Sequence, residues 1–226
     1  MVAVVTVITV GASIGISVAL RLQSWYGEPK AIPVLDLIMG LVVYFLPLFV
    51  LIAFIWAFAN LPLIQEKVNG NIECLLATPL SPKVLWVGKV FAVFLPSYIL
   101  SVVASCIVLM AVNVAVVLPG WGTFILPVPA LVNGLVINPL LFFALLAFII
   151  LFSLANNPDM AITPSFLIGF GLMIGVPVGL MTGTIDISSW SFVLWYMAGT
   201  IVACAIVLFL TRLLTNQNIV LSSKGS

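Results

Sequence analysis

Apolar runs of the length a bilayer demands alternate with short polar connectors along almost the whole chain. A spanning helix needs roughly 20 mostly apolar residues, and six runs qualify: residues 2–20, 37–59, 84–117, 135–154, 163–181 and 191–210. The pattern predicts an all-α integral membrane protein, a single domain over residues 1–226 with six transmembrane helices. The first run has no basic stretch before it and no clear small-residue cleavage site after it, so it reads as a retained span rather than a signal peptide. Pro47 falls inside the second run and predicts a kink whose freed carbonyl neighbouring helices must satisfy. Ser81-Pro82 suits the N-cap and first position of the third helix. That helix is longer than a bilayer needs, so its first turns are expected to stand in water. Residues 118–133 hold Pro119, Gly120, Trp121, Gly122, Pro127 and Pro129 and read as a punctuated loop, with Trp121 at headgroup level. The run ANNPD at 155–159 reads as a short turn, and 182–190 as a loop carrying Asp186.

One polar interruption breaks the pattern. Residues 60–89 read NLPLIQEKVNGNIECLLATPLSPKVLWVGK and hold Glu66, Lys67, Glu73, Lys83 and Lys89, five of the charges in a chain with only 7 basic and 6 acidic residues. Asn69-Gly70-Asn71 permits a chain reversal, because glycine accepts a positive φ. Ile72, Leu75 and Leu76 recur at helical spacing, and Glu66 and Glu73 share a face if the helix continues through Gly70. The segment 60–83 therefore predicts a short amphipathic helix beneath the membrane, joined to two long spans. The bland reading of the same pattern is a surface helix with no partner.

Composition narrows the function classes. The chain is 64% hydrophobic and 6% charged, with a mean hydropathy of +1.40, whereas a soluble domain carries roughly a quarter of its residues as charge. A net charge of +1 gives no electrostatic case for nucleic acid. Histidine, the commonest general base and metal ligand, is absent. Cys74, Cys106 and Cys204 are odd in number and lack CxxC spacing, which indicates neither a disulfide framework nor a zinc site. With six spans, one side carries Lys67, Lys83, Lys89, Arg212 and Lys224 and the other only Arg21 and Lys30. The positive-inside rule then puts both termini and the polar interruption in the cytoplasm, across the cytoplasmic (inner or plasma) membrane.

The run Glu66-Lys67-x-x-Gly70-x-x-Glu73-x-Leu75-Leu76-Ala77-Thr78-Pro79-Leu80-Ser81, followed by Gly88-Lys89, resembles the signature of type-2 ATP-binding-cassette (ABC) transporter permeases. In that family the signature lies between the second and third of six spans. The resemblance implies a coupling helix that docks on a cytoplasmic ABC ATPase subunit, and an active unit of two permeases with two ATPases, usually an exporter. By position, Glu66, Gly70, Glu73, Leu75, Leu76, Thr78 and Pro79 would form the ATPase-coupling element. Gly88 and Lys89 would open the third span near the membrane surface. The chain departs from the family in having Asn71 where a small hydroxyl residue is frequent, and in beginning inside its first span rather than with a basic elbow helix. Either that elbow is lost or the start lies upstream.

A phosphate-binding loop needs G-x-x-x-x-G-K-[ST]. Gly88-Lys89 is followed by Val90 and has Lys83 where the first glycine belongs. The chain is thus expected to hold no cofactor and to be no enzyme, with ATP and magnesium on the partner subunit. Inside the membrane, Gly171, Gly175, Gly179 and Gly183 recur every four residues, a pattern that suits close helix packing or a dimer seam. Ser97, Ser101, Ser105 and Asn113 form a polar stripe that either lines a translocation path or packs within one subunit. No charged residue falls near the middle of a span, which favours an apolar or amphipathic substrate such as a lipid or hydrophobic drug. The expected partners are the ATPase, a second copy of the permease or a related one, and membrane lipid. The alternative is a stand-alone channel or membrane-complex assembly subunit with no ATPase.

Overall fold

The computed structural model describes residues 30–55, 81–155 and 158–213, together with Thr9, Ser13, Ser17 and Glu28. Every regular element among them is helical. Helix α1 is Ala31–Phe54. Helix α2 is Pro82–Val112 and continues through a π-turn, Asn113–Val117, to a last α turn, Leu118–Trp121. Helix α3 opens with Val128–Val132, passes through a second π-turn, Asn133–Ile137, and runs on as Asn138–Ala155. Helix α4 is Pro158–Met181, and α5 is Trp190–Leu210.

Four of these are long and apolar enough to cross a membrane, Ala31–Phe54, Lys83–Trp121, Val128–Phe152 and Trp190–Leu210, while Leu167–Met181 is a shorter apolar stretch. The chain is an all-α, multi-pass membrane protein. The expected first span lies outside the described residues except for Thr9, Ser13 and Ser17. The expected turn at 155–159 is described only at its ends.

The helix starts differ from the sequence expectation in a consistent direction. α1 begins at Ala31 rather than residue 37, α3 at Val128 rather than 135, and α4 at Pro158 rather than 163. α2 runs on to Trp121, four residues beyond the expected end. At each of the three starts a proline that reads as loop punctuation sits in a first turn, where a missing N–H costs nothing. Pro33 and Pro129 occupy such positions in α1 and α3. α2 finally stops at Gly122, whose φ of +66° closes the helix with its N–H on the Leu118 carbonyl, 3.0 Å away.

The chain divides into two compact units, and each of the helices α1 to α5 contributes to both. One comprises 51–97, 140–178 and 198–226. Its core gathers Trp86 and Val90 of α2, Ala144, Ala147, Ile150 and Leu151 of α3, and Val207 of α5. The Trp86 indole N–H donates to the Ala147 carbonyl at 2.9 Å, so even the second turn of α2 is packed against α3. Phe143 stands between Phe91 and Phe94, with ring centroids 5.4 and 5.1 Å away.

The other unit comprises 1–50, 98–139 and 179–197. It is organised by a close crossing of α1 and α3. A methyl group placed on Gly40 would meet the Ala130 Cβ at 3.4 Å, and one on Gly134 would stand 2.3 Å from the Val43 carbonyl oxygen. Pro47 explains why that carbonyl is available. It has no N–H to return to the residue four back, which is Val43. The neighbouring Tyr44 carbonyl accepts a hydrogen bond from the Asn138 amide at 3.1 Å. α3 thus answers both carbonyls in the turn before Pro47, one by a bare backbone approach and one by a side chain. Asn138 in turn accepts from the Tyr196 hydroxyl of α5, and the Tyr44 ring lies among Phe45, Phe192 and Tyr196.

Candidate functional site

The expected coupling residues Glu66, Gly70, Glu73, Leu75, Leu76, Thr78 and Pro79 lie outside the described residues. The structure does describe the downstream anchor of that loop. Ser81 receives the Leu85 N–H on its carbonyl at 3.2 Å, and α2 starts at Pro82 as its sequence predicts. From Trp86 onward α2 is fixed to α3, so a displacement of the loop would be carried by a packed helix rather than a free strand.

The polar stripe of α2 is buried throughout: Ser97 is 4% exposed, Ser105 2%, and Ser101 and Asn113 not at all. The three hydroxyls donate to carbonyls of their own helix, Ser97 to Phe94, Ser101 to Tyr98 and Ser105 to Ser101. Asn113 does something else. Its Nδ2 donates to Leu109 at 3.0 Å and to the Ile125 carbonyl at 3.2 Å, while its Oδ1 accepts the Ile125 N–H at 3.0 Å. The side chain pairs with an extended residue as a neighbouring β-strand would, and thereby holds the connector between α2 and α3. Ile125 is 8% exposed and packs with Leu35 and Val117.

Replacing Asn113 with leucine is therefore expected to strip partners from two buried backbone groups and lower thermal stability by roughly 1–3 kcal/mol. Ser105→Ala, which removes a hydroxyl bonded only within its helix, is expected to cost far less. Thermal unfolding of the purified variants in detergent checks both, and equal losses would contradict the role given to Asn113.

The glycine series separates into three environments. Gly171 and Gly175 are exposed on α4 and, among the described residues, have nothing within 4 Å of an added Cβ. At Gly179 a Cβ would fall 2.4 Å from Ile185, because the chain folds straight back over this residue. The Gly179 carbonyl accepts the N–H groups of Thr184 and Ile185 and the hydroxyls of Thr182 and Thr184. Gly183 lies two residues beyond the helix, with a φ of +72°. The four-residue spacing continues past the helix end, and only the first three positions are helical.

The two π-turns are the feature that the hydrophobic pattern did not bring out. Each opens on an asparagine with no exposed surface, Asn113 or Asn133, and in each the sixth residue's N–H reaches that asparagine's carbonyl five positions back. Each is followed, after one intervening residue, by a proline, Pro119 or Pro139. A proline ring in a regular helix strikes the carbonyl four residues back, and a widened turn before it relieves that clash. The carbonyl so exposed by Pro139 is that of Leu135, which receives the Tyr98 hydroxyl at 3.4 Å. The signal was present as a repeat, NVAVVLP at 113–119 and NGLVINP at 133–139. Asn133 differs from its counterpart, since neither end of its amide has a hydrogen-bond partner.

No known family model, curated protein or solved structure matches the chain.

Proposed function

We propose that the chain is the membrane subunit of an ABC exporter of the type-2 kind, moving an apolar or amphipathic substrate across the cytoplasmic membrane. The observation that carries the reading is the run Glu66 to Ser81 with Gly88-Lys89 after it, placed directly before a long apolar helix. In this reading the chain has six spans, the segment 60–83 is a cytoplasmic coupling helix, and both termini are cytoplasmic. ATP and magnesium belong to a separate ATPase, since this chain has no phosphate-binding loop. Closure of two ATPases around ATP would push the coupling helices, and α2, braced by Trp86, would carry that push into the bundle.

The exposed α4 face at Gly171 and Gly175 supports the pairing of two permeases. A second helix can approach closely there, because no side chain among the described residues fills the space. Purification of the tagged protein from its native membrane is expected to recover an ABC ATPase in about equal amount, together with a second permease copy or a related permease. Recovery of the folded protein with no ATPase under mild detergent would sink the reading.

A further inference from the structure

The paired π-turns point to a binding site. At the first, an asparagine amide holds one extended apolar residue by its N–H and C=O together, and that residue is Ile125 of the same chain. At the second, the same residue type stands at the same position of the same turn, six residues before a proline. It is equally buried, at 0% exposed, and both Nδ2 and Oδ1 lack partners. A buried amide left unbonded costs roughly 1–3 kcal/mol, whereas leucine at this position would incur no such penalty. No connector of this chain among the described residues supplies the second turn with what Ile125 supplies to the first.

We propose that Asn133 is the recognition point for one extended, apolar residue of a peptide substrate, held by its backbone N–H and C=O as Asn113 holds Ile125. An asparagine amide presents donor and acceptor on one edge. A single trans peptide bond points its N–H and C=O in opposite directions and cannot match that edge, but the N–H and C=O of one extended residue do. The ligand class is therefore an apolar peptide or acyl-peptide rather than a simple lipid. Its recognition is neutral, since the polar side chains described beside Gly134 and Asn138, namely Tyr44, Tyr98, Asn138 and Tyr196, carry no charge. The inference rests on the permease reading, because helix movement during transport is what opens a site that is closed here.

The test uses N-octanoyl-leucine N-methylamide as probe, against the analogue methylated on the leucine nitrogen, in which a methyl group replaces the donor hydrogen. Binding to the purified full-length protein in nanodiscs is measured by calorimetry, with no ATPase present. The wild type is expected to prefer the unmethylated probe by about tenfold or more, because a site built to hydrogen-bond a group rejects the analogue lacking it. The fraction of open protein scales both affinities equally, so the ratio survives even if opening is rare. Asn133→Leu is expected to bring the ratio to one. A diazirine version of the leucine probe, used on the wild type, is expected to label the 128–138 segment, which keeps the test decisive if the variant fails to fold. Equal affinities in the wild type, a preference retained by Asn133→Leu, or labelling confined to other segments would each overturn the proposal. None of these outcomes depends on an ATPase, so the permease reading can fail or stand separately.

Discussion

Replacing Gly134 with alanine is expected to prevent the protein from reaching a stable folded state. The added methyl would stand 2.3 Å from the Val43 carbonyl oxygen and 3.1 Å from its carbon, against backbone that cannot rotate away. Ordinary overpacking costs roughly 1–3 kcal/mol, and a backbone clash leaves fewer ways to relax than a side-chain clash. The damage extends past sterics. Separating α1 from α3 there would also draw the Asn138 amide off the Tyr44 carbonyl and loosen the Tyr196 contact behind it. Gly88→Ala is the matched control, since nothing among the described residues lies within 4 Å of its Cβ position. There the change is expected to be neutral or to stabilise by about 0.5–1 kcal/mol, as alanine is the better helix former. Size-exclusion profiles and thermal unfolding in detergent distinguish the two. A Gly134→Ala protein that elutes and melts like wild type would mean that α1 and α3 do not meet at this point.

The helices themselves were legible because a bilayer enforces long apolar runs, and α5 was placed to within one residue of its start. The ends were less legible. Pro33, Pro119 and Pro129 look alike in a string of letters, yet their effect depends on whether the carbonyl four residues back needs an N–H. The carbonyl freed by Pro47, and the need to satisfy it, could be anticipated. That Gly134 and Asn138 would answer it could not, because the two segments lie about 90 residues apart in the chain. The polar stripe was legible as a stripe, but not as two chemistries. Serine hydroxyls reach their own helix carbonyls, as those of Ser97, Ser101 and Ser105 do, whereas the longer, two-ended amide of Asn113 spans to another segment. The repeat NVAVVLP and NGLVINP does not show in the hydrophobic pattern, because its period belongs to a turn type and not to an apolar face.

Truncating the loop's apolar knob is expected to separate the permease from its ATPase while leaving the bundle intact. Leu75 and Leu76 are the large apolar side chains framed by Glu66 and Glu73 in the proposed coupling helix. Interface energy concentrates in a few buried residues, each worth roughly 2 kcal/mol or more when cut back. Leu76→Ala alone should therefore weaken association about thirtyfold, since about 1.4 kcal/mol is tenfold. Glu73→Ala should add a smaller loss, of about 1 kcal/mol or less if its partner charge stays exposed to water. Leu80→Ala, nearer the membrane, removes a side chain of the same size and is expected to matter less.

The bundle should be indifferent to these changes, because α2 is held to α3 from Trp86 onward by contacts of its own. The decisive measurement is the amount of ATPase retained by the Glu73→Ala, Leu76→Ala double variant in a pull-down, with substrate-stimulated ATP hydrolysis read on the same sample. The account predicts a monodisperse, normally melting permease that retains little ATPase and stimulates no hydrolysis. A double variant that holds its ATPase and couples hydrolysis like wild type would contradict the assignment of this loop as the coupling element.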